Sequence, residues 1–407
     1  MQSLLAGWPW RQRWLRLRAA ALLAASRDEI VECGDGVRLL GHYSAQARES
    51  KGLVVLLHGW EGSAAASYVV SVGGLLYDAG YAVFRLNFRD HGDTFALNRE
   101  LFHSCRIDEV VGALAAIVAR AERAFLVGHS LGGNFALRAA ARAPAAGIRL
   151  AKVVAVCPVL HPASTMRALE DGLWIYRQYF LRRWRRSLLA KAACFPELYD
   201  FGNLRRFPPL TATTEFFAKR YARFPDLDAY LNGYAITGNA LAGLAVPAKL
   251  IAAADDPVIP IADLDDLATP AALSVEVMQQ AGTARFSRTI ACAVGSIAPC
   301  LRSSRPLAEA AQGWRFSWNV TGGAPLVTLI SPSITAPSAT AMEWPARLPL
   351  TRALPKISTR CFETTSPSTT PATTMSVAFM VPTQRPLSAS VNGPSMSQSP
   401  STVPQNT

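Results

Sequence analysis

The 407-residue sequence predicts an α/β fold: a mostly parallel sheet flanked by helices, with a helical cap. Three observations lead there. Short continuous apolar runs recur along the chain, as expected of strands buried on both faces. Helical segments alternate with them from about residue 28 onward. Between Pro158 and Val246 the alternation gives way to helical sequence rich in Trp, Tyr, Phe and Arg, too long for an ordinary strand-to-helix connection.

Residues 1–27 read as a basic-aromatic arm. WPWRQRWLRLR spans Trp8 to Arg18, and the apolar stretch after it, Ala19 to Ala25, is short and lacks the cleavage context of a secretory signal. An α/β domain is expected over residues 28–280. Glu29 to Cys33 and Arg38 to Tyr43 read as antiparallel strands joined through Asp35-Gly36. Gly52 to Leu57 (GLVVLL) is a buried strand, Ser67 to Ala79 a helix ending at Gly80, and Tyr81 to Leu86 the next strand. A helix follows over Ile107 to Glu122, then a strand over Ala124 to Val127 and a helix over Leu131 to Arg142. Lys152 to Cys157 and Ala248 to Ala253 are further buried strands. Residues of about 161–245 form the cap, its aromatic side chains mostly core and the remainder lining a pocket.

The composition changes after about residue 280. Residues 281–407 contain no Asp, His or Tyr, and Ser, Thr and Pro fill some two-fifths of the positions. Such a composition buries little core and reads as a disordered tail.

The net charge of +12 is unevenly spread, gathering at Trp8 to Arg18 and at Tyr179 to Arg186 (YFLRRWRR). Interleaved Arg and Trp suit nucleic acid, anionic lipid or simply a solvated helix face. No base-reading motif accompanies them, so no nucleic-acid partner is expected, while peripheral membrane contact suits both runs. No stretch reaches transmembrane length without polar interruption. Seven scattered cysteines with no C-x-x-C pair suit reduced thiols in a cytoplasmic protein.

Chemistry enters at Gly128-His129-Ser130-Leu131-Gly132, a G-x-S-x-G sequence between a buried strand and a helix. In that context the serine sits on a strained strand-to-helix turn, with the free N–H groups of the helix start behind it. Ser130 is therefore the candidate nucleophile. Upstream, Leu57-His58-Gly59-Trp60-Glu61-Gly62 ends another buried strand. Backbone N–H groups of Leu131 and Trp60 are the candidate oxyanion donors. His58 is expected to be a structural hydrogen-bonder, and the charged turn Arg85 to Asp93, with His91, to organise loops.

These motifs resemble the α/β-hydrolase superfamily, and more narrowly its YheT-like bacterial esterases, akin to ABHD-type lipid hydrolases. The resemblance covers about residues 28–280. It rests on LLHGWEGS, FRLNFRDHGDT, VGHSLGGNFAL and PAKLIAAADDPVIP, with DLDAYLNGYAITG (Asp226 to Gly238) in the cap similar to that group's D-x-Y-Y-x-x-S region. It implies the α/β-hydrolase fold and hydrolysis of a carboxylic ester, small-molecule or lipid, through an acyl-enzyme, without metal or organic cofactor. It also implies a triad acid before Pro257, favouring Asp256 with Asp255 as the alternative, to hold the imidazole's tautomer.

The resemblance further implies a histidine base 25 to 30 residues beyond that acid, often in Gly-Gly-His. All six histidines precede residue 162. His129 adjoins the serine but should project away from it, and His161, after the strand ending near Cys157, is a substitute at the rim. One reading joins the missing histidine to the change in composition. Codons for Gln280 to Ala284, read from each third base, permit Gly-Gly-His-Cys, and the same shift through Ile297 permits a continuation resembling the final helix of the fold. Residues from about 280 onward are then translated out of frame, and activity is impaired. The alternative is a non-catalytic pseudohydrolase binding an acyl ligand or a protein partner.

Overall fold

The computed structural model describes residues 9–201, 209–279, 315–319 and 326–330. The chain divides into two units, residues 1–312 and 313–407.

The first unit opens with helices α1 (Pro9–Arg18) and α2 (Ala20–Ala24), followed by strands β1 (Ser26–Glu32) and β2 (Arg38–Ser44). The antiparallel β1–β2 hairpin turns through Gly34, Asp35 and Gly36, all at positive φ, closed by Val37 N–H donating to the Gly34 carbonyl at 2.9 Å. Gly and Asp are among the few residues that tolerate this left-handed backbone. Then come β3 (Leu53–Leu57), α3 (Ser67–Asp78), β4 (Ala82–Leu86), α4 (Ile107–Val118), β5 (Ala124–His129), α5 (Leu131–Arg142) and β6 (Lys152–Val156). Four helices follow before the next strand: α6 (Pro162–Asp171), α7 (Trp174–Cys194), α8 (Leu210–Tyr221) and α9 (Leu227–Asn232). The chain then returns to the sheet as β7 (Ala248–Ala253) and β8 (Leu273–Met278).

The sheet order is β1-β2-β4-β3-β5-β6-β7-β8. β1, β2 and β4 pair antiparallel, and every pairing from β4 to β8 is parallel. In β3 each residue is buried, and side chains alternate between two cores. Val54 and Leu56 join the layer of α3, whereas Leu53, Val55 and Leu57 join that of α4, α5 and the inserted helices. On the α3 side, Ala19 and Leu22 are also buried; Leu22 fits because Gly73 has no side chain there. Within residues 1–27, Ala19 and Leu22 thus pack as core.

The inserted helices are capped by their own sequence. The His161 ring accepts from Ser164 N–H at the start of α6, and the Asp226 carboxylate accepts from Ala229 N–H at 2.7 Å at the start of α9. Strand β8 was not among the expected elements: its Leu-Ser-Val-Glu-Val-Met sequence has polar interruptions where the other parallel strands are continuous.

In the second unit, β9 (Arg315–Asn319) and β10 (Leu326–Ile330) pair antiparallel. They fall in the stretch expected to be a Ser/Thr/Pro-rich tail. Residues 280–314, including the segment where the shifted codons permit a histidine, lie outside the described residues.

Candidate active site

The C-terminal end of β5 delivers Ser130 into a left-handed turn, φ 53° and ψ −121°, from which α5 starts. The glycines on either side are required by space. A Cβ on Gly128 would overlap the Gly132 carbonyl, and one on Gly132 would overlap the carbonyls of Leu57 and His58. Ser130 N–H donates to the Val156 carbonyl at 2.8 Å, and the Ser130 carbonyl accepts from Gly133 and Asn134 N–H. The backbone is thus held by β6 and by the first turn of α5. Leu131, as the first helical residue, has an N–H without an intrahelical acceptor.

Beside it lies the loop after β3. Gly62 N–H donates to the Gly59 carbonyl at 2.9 Å, closing a turn with Trp60 and Glu61 at its corners and Glu61 at φ 54°. A Cβ on Gly59 would sit 3.1 Å from Ser130 Cβ and 3.6 Å from its Oγ, so this turn abuts the serine. Gly59 N–H donates to the Tyr68 hydroxyl at 2.9 Å, and Glu61 N–H donates to His91 Nε2 at 3.2 Å.

A cavity of about 150 Å³ opens above these residues. Ser130, Leu131, Trp60, Glu61 and His91 line its sheet side, and Phe180, Trp184, Ser187 and Leu188 of α7 line its opposite wall. The Trp60 ring stacks on Phe180 at 5.4 Å and meets Trp184 edge-on at 5.6 Å. The lining is mostly apolar, with Glu61 and Asp90 its carboxyl groups. Asp90 is paired with the buried Lys191 ammonium at 2.8 Å.

Sequence reasoning missed Glu61. Burial pushes its carboxyl up to about 7, against the pull of the Ser187 hydrogen bond and Arg183, with Asp90 adding to the rise. The available signal was a carboxylate between Trp and Gly in a tight turn beside the nucleophile motif.

His58 and His91 each have both ring nitrogens engaged. His58 shares Nδ1 with the Gly59 carbonyl at 2.7 Å and accepts from Phe88 N–H at Nε2. His91 shares Nδ1 with the Arg89 carbonyl at 2.7 Å and accepts from Glu61 N–H at Nε2. Each must carry its proton on Nδ1, since a carbonyl can only accept. Burial holds His58 well below the usual range and His91 at about 4. His129 packs against Tyr68 on the α3 side, away from the cavity, and burial lowers it to about 4. His103, also missed from sequence, lines the cavity and is pushed down to about 3 by burial and then by Arg106, Arg89 and Arg138.

Asp256 follows β7, and its Oδ1 accepts from Val258 and Ile259 N–H at 2.9 and 3.1 Å. It shares a small second cavity with Cys157, whose thiol is raised by burial and then by Asp256. Asp256 does not line the Ser130 cavity, although Val258 does. Asp255 is exposed. His161 caps α6; its Nδ1 lies 2.8 Å from Ser164 Oγ, which donates to Asp263 at 2.8 Å. Val159 and Pro162 beside it line the cavity, but His161 itself does not. The structure thus brings Ser130, Leu131 and Trp60 together, and leaves Asp256 and His161 outside that wall. Among the described residues no group of three or more His, Cys, Asp or Glu stands ready to hold a metal ion.

The chain is similar in structure to several hydrolases. The Pyrococcus furiosus esterase Pf2001 matches with a TM-score of 0.44 and 14% identity, over 66% of this chain and 89% of that one. Serine hydrolase CCSP0084 from Cycloclasticus zankles matches with a TM-score of 0.44 and 16% identity, over 67% and 96%. Carboxylesterase CesB from Bacillus subtilis gives a TM-score of 0.42 and 12% identity, over 70% and 99%. No curated protein matches the sequence. Residues 52–282, more than half of the chain, match the family described as alpha/beta hydrolase fold, and the chain belongs to that family.

Proposed function

We propose that this α/β-hydrolase domain is built to cleave carboxylic esters through a covalent acyl-enzyme, with Ser130 as nucleophile. The observation that carries this reading is Ser130 at its left-handed turn, lining a cavity and abutting the Gly59–Gly62 turn. In the proposed reaction Ser130 Oγ attacks the acyl carbonyl and a histidine takes the hydroxyl proton. The N–H groups of Leu131 and Trp60 stabilise the oxyanion. That histidine returns the proton to the leaving alcohol, and water then releases the acid from the serine. Asp256 orients the imidazole. Helices α6 to α9 act as the cap, and the apolar lining favours a lipophilic acyl group. A YheT-like or ABHD-type affiliation fits the same motifs.

None of the histidines near Ser130 suits this scheme: His58 and His91 have both nitrogens engaged, His129 faces away, and His103, which lines the cavity with its Nδ1 unpaired, is held at about 3 by burial and is a weak base. The out-of-frame reading of residues from about 280 supplies the missing histidine. It is supported by β8, where Val275 and Val277 lie on one face and are 38% and 44% exposed, as a strand that has lost its covering helix would be.

Labelling with a fluorophosphonate probe tests the assignment, comparing the chain as written, Ser130→Ala and a frame-restored chain. The expected result is labelling of the frame-restored chain that Ser130→Ala abolishes. Strong Ser130-dependent labelling of the chain as written would instead make His161 the first base to test. A folded, frame-restored chain that takes no label would overturn the reading in favour of a pseudohydrolase that binds without cleaving.

A further inference from the structure

Helix α7 has two unlike faces. Phe180, Trp184, Ser187 and Leu188 line the cavity. The opposite stripe carries Ile175, Tyr179, Arg182, Arg186 and Leu189, spaced by four, three, four and three residues, the repeat that keeps side chains on one side of a helix. Tyr179 and Leu189 are 47% and 57% exposed. At the helix start, Leu173, Trp174 and Ile175 form an apolar tip that is 63%, 61% and 44% exposed. The 21-residue helix contains six Arg or Lys and no Asp or Glu. Arg183 donates to the Tyr179 hydroxyl at 3.0 Å and lies 5.5 Å over its ring.

A solvated helix face mixes both charge signs and does not leave three large apolar residues in a row exposed. We propose that this outer face of α7 docks on an anionic lipid bilayer. The charge argues for the partner: a stripe whose charged residues, Arg182 and Arg186, are both basic complements acidic headgroups, with Arg stems and Tyr at the headgroup level. The Leu173-Trp174-Ile175 tip enters the boundary between headgroups and acyl chains, where Trp is favoured. Among the described residues no helix is long and apolar enough to cross a membrane, so α7 lies along the surface. Nucleic acid would use the arginines but leave the apolar tip without a partner. The docking stands independently of the catalytic reading. That it brings a lipophilic ester to the cavity on the other side of α7 rests on that reading.

Sedimentation of the full chain with vesicles tests the proposal, using phosphatidylcholine alone and phosphatidylcholine mixed with phosphatidylglycerol. Retention on the mixed vesicles is expected, weakening at high salt, with about tenfold less on phosphatidylcholine alone. Trp174→Ser/Ile175→Ser and Arg182→Ser/Arg186→Ser should each lower retention about tenfold while leaving the far-ultraviolet circular dichroism unchanged, because all four side chains are exposed. Retention unchanged in both variants would move the contact elsewhere, Trp14 and Leu17 of α1 being exposed as well, and would overturn the assignment. Salt-sensitive binding of duplex DNA without vesicle binding would overturn it in favour of nucleic acid. Vesicle binding by a frame-restored chain whose Ser130 takes no fluorophosphonate would leave the docking face standing while the hydrolase reading falls.

Discussion

The Ser187 hydroxyl donates to a Glu61 carboxylate oxygen at 2.6 Å, joining α7 to the turn that abuts Ser130. A carboxyl buried in an apolar wall and held by one neutral hydroxyl keeps its proton to higher pH than in water.

The first prediction concerns that proton. Glu61 titrates near 7 in the folded chain, against 4.5 as its ordinary value. A raised folded pKa means that its contribution to stability is complete below about pH 4.5 and lost as pH rises through 7. Glu61→Gln removes the titration and keeps the shape. Relative to the parent, the variant should therefore gain on the order of 3 kcal/mol between pH 4.5 and 8. Urea unfolding of both proteins across that range measures the difference, and a constant gap would contradict it.

Acid should unfold the protein through its histidines. His91, His103 and His129 titrate at about 4, 3 and 4, and His58 is likewise depressed. Their neutral forms are the native ones. The stability they confer is complete above the ordinary value of 6.5 and lost as pH falls toward 4. His91, His103 and His129 each withdraw on the order of 2 kcal/mol by pH 5, against the opposing rises at Glu61 and Asp90, and their sum is large beside a total stability of about 5–15 kcal/mol. Tryptophan fluorescence followed from pH 7 to pH 4 should report unfolding with a midpoint of about 5. Native fluorescence retained at pH 4 would refute this.

The third prediction concerns Lys191, wholly buried on α7. Its ammonium donates to Asp90 at 2.8 Å and to the carbonyls of Phe95 and Asn98. Lys191→Met strands the Asp90 carboxylate without its cation and should destabilise the fold by about 3–5 kcal/mol. Adding Asp90→Asn removes the stranded charge while an amide oxygen can still accept from Phe102 N–H, as Asp90 does at 2.8 Å. The double variant should therefore recover a large part of the loss in urea unfolding. Equal losses in the two variants would place the cost in the lost carbonyl contacts instead.

From Gly52 to Arg142 the order of strands and helices was legible, because each buried strand is an unbroken apolar run and each helix ends near a small or charged residue. Ser130 was legible too, since the collisions that exclude side chains at 128 and 132 leave glycine as the visible trace. β8 escaped because Ser274 and Glu276 break its run. Glu61 escaped for a different reason. What makes it unusual is burial beneath α7 and a partner 126 residues away, neither of which is written locally. The same holds for His58 and His91, whose protonated nitrogens are decided by carbonyls and amides brought together only by the folded loops.

Among the described residues β8 is the last strand of the eight-stranded sheet, and Val275 and Val277 stand exposed along it. Bare β-branched side chains beside unpaired edge amides are a template for joining other chains, and folding quality control acts on such surfaces. A strand that stayed in this condition would set cellular abundance before turnover. A copy with every catalytic atom in place would still be scarce if this strand stayed bare, and covering it would raise the amount of protein before it changed a single rate constant.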